Sequence, residues 1–303
     1  LVFDGGHYLS VDKAIYRFIQ RKNEPNQILE FSDSFDLELK KLGRYEYVWG
    51  DEFDGDSLDM NKWEFASKNY GEREYHTLLN DDPRVVEVSD GLLKMNTIRY
   101  YDPTNSAVKY AAPCFIQTPN TMNYRYGYLE MRAKVPYKHG VWPAFWMKQG
   151  GNLAPTYTPD PVTGYRVEVD IFEVWGSSYQ LVPNIRKWYV SLTDKNGVWP
   201  MPNKAYTFDD YFNLSNEYHT YGFEWTPTEM SMFVNGQKYI TYDLTDDYDN
   251  SGTLEPFHQS FYVLLDNMIL TTIVDDLAQF PNEFWVDWVR LYQAPGEGKL
   301  WIK

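Results

Sequence analysis

One cysteine, Cys114, stands among 303 residues. Neither an intramolecular disulfide nor a cysteine-based metal cluster can be built from it. Histidine is nearly as scarce: His7, His76, His139, His219 and His258 are scattered, without paired metal-ligand spacing. Basic residues are short too. Lys and Arg number 28 against 43 Asp and Glu, a formal net charge of −15, which argues against nucleic acid and anionic membrane surfaces as partners. The same balance counts against a densely sulfated polyanion unless a local basic groove overrules it. No apolar run approaches the roughly 20 residues needed to span a bilayer. Glycine-rich phosphate loops, internal repeats, low-complexity segments and an evident domain linker are also missing. No signal peptide precedes Leu1, so the chain is either cytosolic or a protein whose signal peptide has been removed.

What the chain has in excess is aromatic: 26 Tyr, 11 Trp and 17 Phe, or 18% of residues. One core needs fewer rings, so some are expected to line a binding surface, where Tyr and Trp offer flat apolar faces with polar tips. From Tyr47 onward, short β-like runs alternate with Gly, Asn, Asp and Pro. They include Val85–Val88 before Asp90-Gly91, Leu92–Ile98, Tyr126–Val135, Met230–Val234, Lys238–Tyr242, Phe261–Leu265 and Phe284–Tyr292. Asn235-Gly236, between two alternating runs, signals a tight hairpin. Many short strands at regular intervals predict an all-β sandwich or jelly roll of antiparallel sheets. Residues 1–45 read differently. Ser10 could cap a helix carrying Val11, Ile15, Phe18 and Ile19 at helical spacing, stopped by Asn23 and Pro25. A second helix is expected from Asp36 to Leu42, ending at Gly43. The segment is too short for its own core and is read as a partly helical extension packed on one main domain, residues 46–303.

The most informative stretch is Gly164-Tyr-Arg-Val-Glu168-Val-Asp170-Ile-Phe-Glu173-Val-Trp-Gly176. Its β-branched and aromatic residues between turn residues predict a strand. Glu168 and Asp170, two apart, share a face. Glu173 is an odd step away and joins that face only if one residue bulges out between Asp170 and Glu173. Glycosidic hydrolysis needs one carboxyl that donates a proton and one that attacks or activates water. On an extended strand the backbones of residues 168 and 173 lie on the order of 13–16 Å apart; two long Glu side chains and a bulge close much of that gap. Asp170 between them can share a proton and separate their acidities, because like charges in one site push one pKa upward. The expected division is Glu168 as nucleophile, Asp170 as supporting carboxylate and Glu173 as general acid/base, although spacing alone does not fix which Glu attacks. A calcium or magnesium site is the competing reading, but such cations usually collect carboxylates from a turning loop. An exposed acidic strand face would leave three carboxylates repelling one another.

Glu168-Val-Asp170-Ile-Phe-Glu173 resembles the Glu-x-Asp-x-x-Glu signature of glycoside hydrolase family 16, which includes laminarinases, lichenases, agarases, porphyranases and carrageenases. Other stretches resemble the family in the same order. They are Val48-Trp49-Gly50-Asp51-Glu52-Phe53, Tyr126 to Lys134, Gly140-Val141-Trp142-Pro143-Ala144-Phe145-Trp146-Met147, His219 to Trp225, and Trp285-Val-Asp287-Trp288-Val-Arg290-Leu-Tyr292. The resemblance implies a jelly roll of two curved antiparallel sheets with a concave cleft, and endo-acting retaining hydrolysis by Glu168, Asp170 and Glu173. It implies a polysaccharide substrate, no cofactor for catalysis, a monomer, and a secreted, cell-surface or periplasmic location. It nominates Trp142 for stacking a sugar next to the cleaved bond, with Trp146, Trp175, Asn184, Arg186 and Trp188 as further substrate contacts. A structural calcium is common in the family, and Glu52, Gly91 and Asp287 fall where its ligands would lie.

Two departures bear on substrate. Many relatives carry His where this chain has Arg186, and the insert at 149–163 is unlike compact glucanases. Arg186 could pair with an acidic or sulfated sugar, with a catalytic carboxylate, or with solvent. Trp-Pro-Ala-Phe-Trp leans toward a β-1,3 or mixed-linked glucan; an algal or host galactan is the alternative. A non-catalytic jelly-roll sugar-binding protein is a third class. A missing carboxylate at 168 or 173 would mark that class, and both are present.

Overall fold

The computed structural model describes residues 8–11, 14–19, 28–31, 44–66, 76–80, 82–101, 108–112, 116–159, 161, 164–176, 180–189, 206–207, 214–245, 254–270 and 280–303. Two stacked sheets make up the main domain. One runs, edge to edge, β16 (Tyr206–Thr207), β15 (Gln180–Tyr189), β14 (Tyr165–Glu173), β13 (Val141–Gln149), β20 (Phe261–Ile269), β10 (Ile116–Gln117) and β5 (Glu64–Phe65), with β11 (Met122–Arg125) and β22 (Lys299–Ile302) attached through β20. The other runs β19 (Gln237–Asp243), β18 (Glu229–Val234), β17 (His219–Trp225), β12 (Gly127–Lys134), β21 (Asn282–Gln293), β8 (Leu92–Tyr101), β9 (Val108–Ala112) and β6 (His76–Leu78). In that sheet β4 (Glu46–Asp51) also pairs with β21 and β7 (Val86–Ser89) with β8. Among the described strands all pairings are antiparallel except β6 with β9. This is the predicted all-β sandwich.

Two-residue turns set the registers. Asp90-Gly91 joins Ser89 to its partner Leu92, and Asn235-Gly236 joins Val234 to Gln237. All four turn residues have φ between 49° and 74°, the left-handed values that match strand twist in a tight hairpin.

Alternate residues of each strand meet between the sheets. Tyr165, Val167 and Val169 of β14 bury there with Phe145 and Met147 of β13 and with Tyr221, Phe223 and Trp225 of β17. A polar pin crosses the core: Thr97 Oγ1 donates to the Asn267 carbonyl at 2.7 Å, and Asn267 Nδ2 donates to the Met95 carbonyl at 3.1 Å. Being paired, these buried groups tie β20 to β8 rather than destabilising the core.

The N-terminal extension departs from expectation. Tyr8–Val11 (β1), Ala14–Ile19 (β2) and Ile28–Phe31 (β3) form a three-stranded antiparallel sheet, not a helix capped by Ser10. Val11 pairs with Ala14. Apolar residues at 11, 15, 18 and 19 fit a helical face, but Ala-Ile-Tyr-Arg-Phe-Ile is dominated by β-branched and aromatic side chains, which lose rotamer freedom in a helix and pack well on a pleated surface. The helix expected over 36–42 lies outside the described residues.

Candidate active site

On β14, Val167 and Val169 enter the core while Glu168 and Asp170 point to the opposite face. The bulge falls where the alternation requires it. Against β15, Asp170 pairs with Asn184 and Glu173 with Val182, so three steps on one strand match two on the other. Against β13, Trp146 pairs with Asp170 and Phe145 with Phe172. The extra residue leaves both Ile171 and Phe172 in the core. Phe172 meets Tyr221 of the opposing sheet at 4.7 Å between ring centres, and the Ile171 carbonyl accepts from the Tyr239 hydroxyl at 3.4 Å. Packing and a cross-sheet partner for the disturbed backbone thus hold the bulge. Glu173 is returned to the face of Glu168 and Asp170.

That outer face is recessed. Asp170 and Glu173, though turned from the core, are 6% and 8% exposed. Glu173 Oε1 accepts from Trp142 Nε1 at 2.9 Å and Oε2 from Asn184 Nδ2 at 2.7 Å; the Trp175 side chain also bonds it. Asn184 reaches Asp170 as well, and the Trp188 side chain reaches Glu168.

Burial raises the pKa of all three carboxyls, and their surroundings then divide them. Lys148 and Arg186, directly opposite Glu168 on the two flanking strands, draw its pKa back down. Around Glu173 the lowering contacts are neutral donors, led by Trp142, while the charge of Glu168 adds to the raising effect of burial. Asp170 is held well above the usual carboxylate range by burial, then by Glu173 and Glu168. The arrangement therefore favours an ionised Glu168 beside a protonated partner, which acid-assisted nucleophilic displacement needs.

The other nominated residues separate into groups. Trp142 and Asn184 bond Glu173 directly. Trp175 is 47% exposed at the strand's end. The Arg186 guanidinium lies over the Trp188 ring at 4.7 Å. Trp146 is buried on the outer face with Ala144, Leu264 and Met268, apart from the main core. Two neighbours went unrecognised in the sequence. Lys148 directly follows Met147 of the aromatic run. Asp266 is the acid that interrupts Phe-Tyr-Val-Leu-Leu-Asp-Asn-Met-Ile; it is 4% exposed and accepts from Trp146 Nε1 at 2.7 Å.

The carboxylates of Glu52 and Asp287, nominated for a structural calcium with Gly91, are engaged by arginines. Arg290 binds both Glu52 oxygens, at 2.8 and 2.9 Å, and Arg132 pairs with Asp287. Gly91 is explained by its turn. Among the described residues, no group of three or more His, Cys, Asp and Glu side chains is placed to hold a metal ion, and no helix is long and apolar enough to cross a membrane.

Comparison with known proteins agrees with this geometry. A family model described as the GH16 domain of β-porphyranases A–D matches residues 47–294. The chain is 25% identical over 309 aligned residues to glucan endo-1,3-β-glucosidase A1 of Niallia circulans, covering 92% of this chain and 42% of that protein. It thus spans less than half the length of that relative. Keratan-sulfate endo-1,4-β-galactosidase of Sphingobacterium multivorum is 26% identical over 83% of this chain and 56% of its own. Among solved structures, SCLam, a non-specific endo-β-1,3(4)-glucanase, superposes with a TM-score of 0.65 at 26% identity, covering 83% of this chain and 92% of that one.

Proposed function

The chain belongs to glycoside hydrolase family 16, and on that premise we propose that it cuts internal β-glycosidic bonds of a polysaccharide with retention of configuration. In the first step the Glu168 carboxylate bonds to the anomeric carbon while Glu173 delivers its proton to the departing glycosidic oxygen. The glycosidic C–O bond breaks and a glycosyl ester of Glu168 remains. In the second step Glu173, now ionised, takes a proton from water; the water oxygen attacks the anomeric carbon and the ester bond releases Glu168. Asp170, beside both, keeps their acidities apart. The observation that carries the assignment is the asymmetry of the surroundings: Lys148 and Arg186 stand opposite Glu168, while the neutral donors Trp142 and Asn184 hold Glu173.

For the substrate we infer an anionic β-galactan, a sulfated algal or host polysaccharide. Lys148 and Arg186 set two cations in register beside the nucleophile of a strongly acidic chain, where charge-assisted hydrogen bonds suit a sulfate or carboxylate substituent. The porphyranase model and the keratan-sulfate relative point the same way. A β-1,3 or mixed-linked glucan is the second reading. The Trp142 and Trp146 faces and the Niallia circulans relative favour it.

The deciding experiment is digestion of laminarin, lichenan, agarose, porphyran, carrageenans and mucin glycans, read by product size and by NMR of the first-formed anomer. Long oligosaccharides of retained configuration from porphyran or another anionic galactan are expected, with turnover abolished in Glu168→Gln. An inverted product, monosaccharide alone, or an active Glu168→Gln enzyme would refute the mechanism. Cleavage confined to laminarin and lichenan would move the substrate to glucan.

A further inference from the structure

Ala144 lies at the centre of an arrangement that the reaction does not account for. On one flank it pairs with Glu173 of β14, on the other with Asp266 of β20. Two carboxyls therefore face each other across a single methyl group. Their backbones are two strand spacings apart, on the order of 9–10 Å, and in the register only the Ala144 methyl group stands between them. Trp142 and Trp146, two residues to either side of Ala144, share its face and close the ends.

The hydrogen bonds are nearly symmetric about Ala144. Trp142 Nε1 donates to Glu173 at 2.9 Å, and Trp146 Nε1 donates to Asp266 at 2.7 Å. Each indole is thus fixed by one carboxyl, and Asp266 occupies on the β20 side the place that Glu173 occupies on the β14 side.

We propose that Asp266 is a substrate-binding residue, hydrogen-bonding the hydroxyls of a sugar ring seated in the notch floored by Ala144 and bounded by Trp142, Trp146 and Glu173. The chemistry of the walls selects this ligand. Indole faces suit the C–H face of a pyranose, and a carboxyl held by the Trp146 indole and the Met268 N–H keeps further lone pairs for a sugar hydroxyl. Among the described residues no cation pairs with Asp266, whereas Lys148 and Arg186 stand opposite Glu168. A buried acid without a counter-ion costs stability, so its presence in a recess beside the reacting carboxyls points to use. Burial, with further contributions from Glu173 and Glu168, pushes its pKa up to about 8, so near neutrality it keeps a proton and can donate as well as accept. This assignment rests on the sugar-cleaving role proposed above.

Affinity separates the two. Porphyran and laminarin hexasaccharides are titrated calorimetrically into Glu168→Gln protein, alone and combined with Asp266→Ala, Asp266→Asn or Trp146→Phe. For whichever hexasaccharide binds, Asp266→Ala is expected to weaken affinity at least tenfold. Asp266→Asn, which keeps an acceptor for the indole and a polar group toward the sugar, should stay within threefold. Trp146→Phe, which removes the indole N–H and part of the ring face but leaves the carboxyl, should lose less than Asp266→Ala. Unchanged affinity in Asp266→Ala would overturn the proposal. So would equal losses in Asp266→Ala and Trp146→Phe, since the carboxyl would then act solely through the ring, and so would failure of both sugars to bind Glu168→Gln. Hydrolysis of the panel by the wild type stands or falls separately.

Discussion

Asn184 sits opposite Asp170 in the β14–β15 register, yet its amide donates to Glu173, at 2.7 Å. That one side chain bridges the bulge, touching the carboxyl before it and the carboxyl after it. A regular strand would have sent Glu173 into the core, where no such bond could form. The bulge therefore supplies the third carboxyl of the site, and Asn184 with Trp142 fixes where its oxygens point. Burial raises the pKa of Glu173, and the two donors that fix its oxygens also draw that pKa back down.

Removing either donor should change both. Trp142→Phe and Asn184→Ala each delete a bond that favours the ionised form of Glu173, so its pKa rises further and it stays protonated to higher pH. The basic limb of the kcat/KM profile should move upward in pH, while the acidic limb, set by Glu168, stays in place. With the acid less well held, kcat at the optimum should fall about ten- to a hundredfold. A basic limb that stays put or moves downward in both variants would separate Glu173 from the acid role.

Lys148 and Arg186 act on the opposite limb. Both lower the pKa of Glu168, so Lys148→Met and Arg186→Met should each raise it and carry the acidic limb of the profile upward. If the same cations hold a sulfate, KM on porphyran should rise about tenfold per substitution, as expected for loss of a hydrogen bond to a charged group. It should also lose part of its dependence on ionic strength. KM on laminarin should be insensitive to both changes. A uniform rise on charged and neutral polymers would refer the effect to the fold rather than to charge recognition.

Much of this site is legible in the order of residues because it depends on strand parity. Glu168, Asp170 and Glu173 cannot share a face without an extra residue, and the register supplies one at that point. Asn235-Gly236 is similarly local: two left-handed residues between alternating runs leave few alternatives to a hairpin. Asp266 and Lys148 are different. Each becomes part of the site only because β20 and β14 both flank β13, and strand order in a sheet is a long-range property. An acid inside the apolar run of β20 was the available signal, yet the predicted strand stopped at Leu265, one residue short. In the extension, apolar residues at 11, 15, 18 and 19 satisfy a helical face, but Ile, Tyr and Phe suit a helix poorly and the chain pairs as strands. The arginines that engage Glu52 and Asp287, Arg290 and Arg132, reach them from neighbouring strands, so these ion pairs too are a long-range property.

The clearest effect of Asp266 on the whole molecule is a pH dependence of stability. Its carboxyl titrates at about 8 in the folded chain against an ordinary 3.8, so between those values the unfolded chain has released a proton that the folded chain retains. Stability then falls as pH rises through this window and levels off above the folded value. Four units correspond to at most about 5–6 kcal/mol. Glu168, Asp170 and Glu173, also raised, tilt the wild-type curve in the same direction, so the informative quantity is a difference. Asp266→Asn, which cannot ionise, should match the wild type within a few degrees of Tm at pH 5. It should become progressively more stable than the wild type toward pH 8. Chemical denaturation at several pH values measures the gap directly; parallel stability curves would mean that Asp266 ionises as readily in the folded protein as in the unfolded chain.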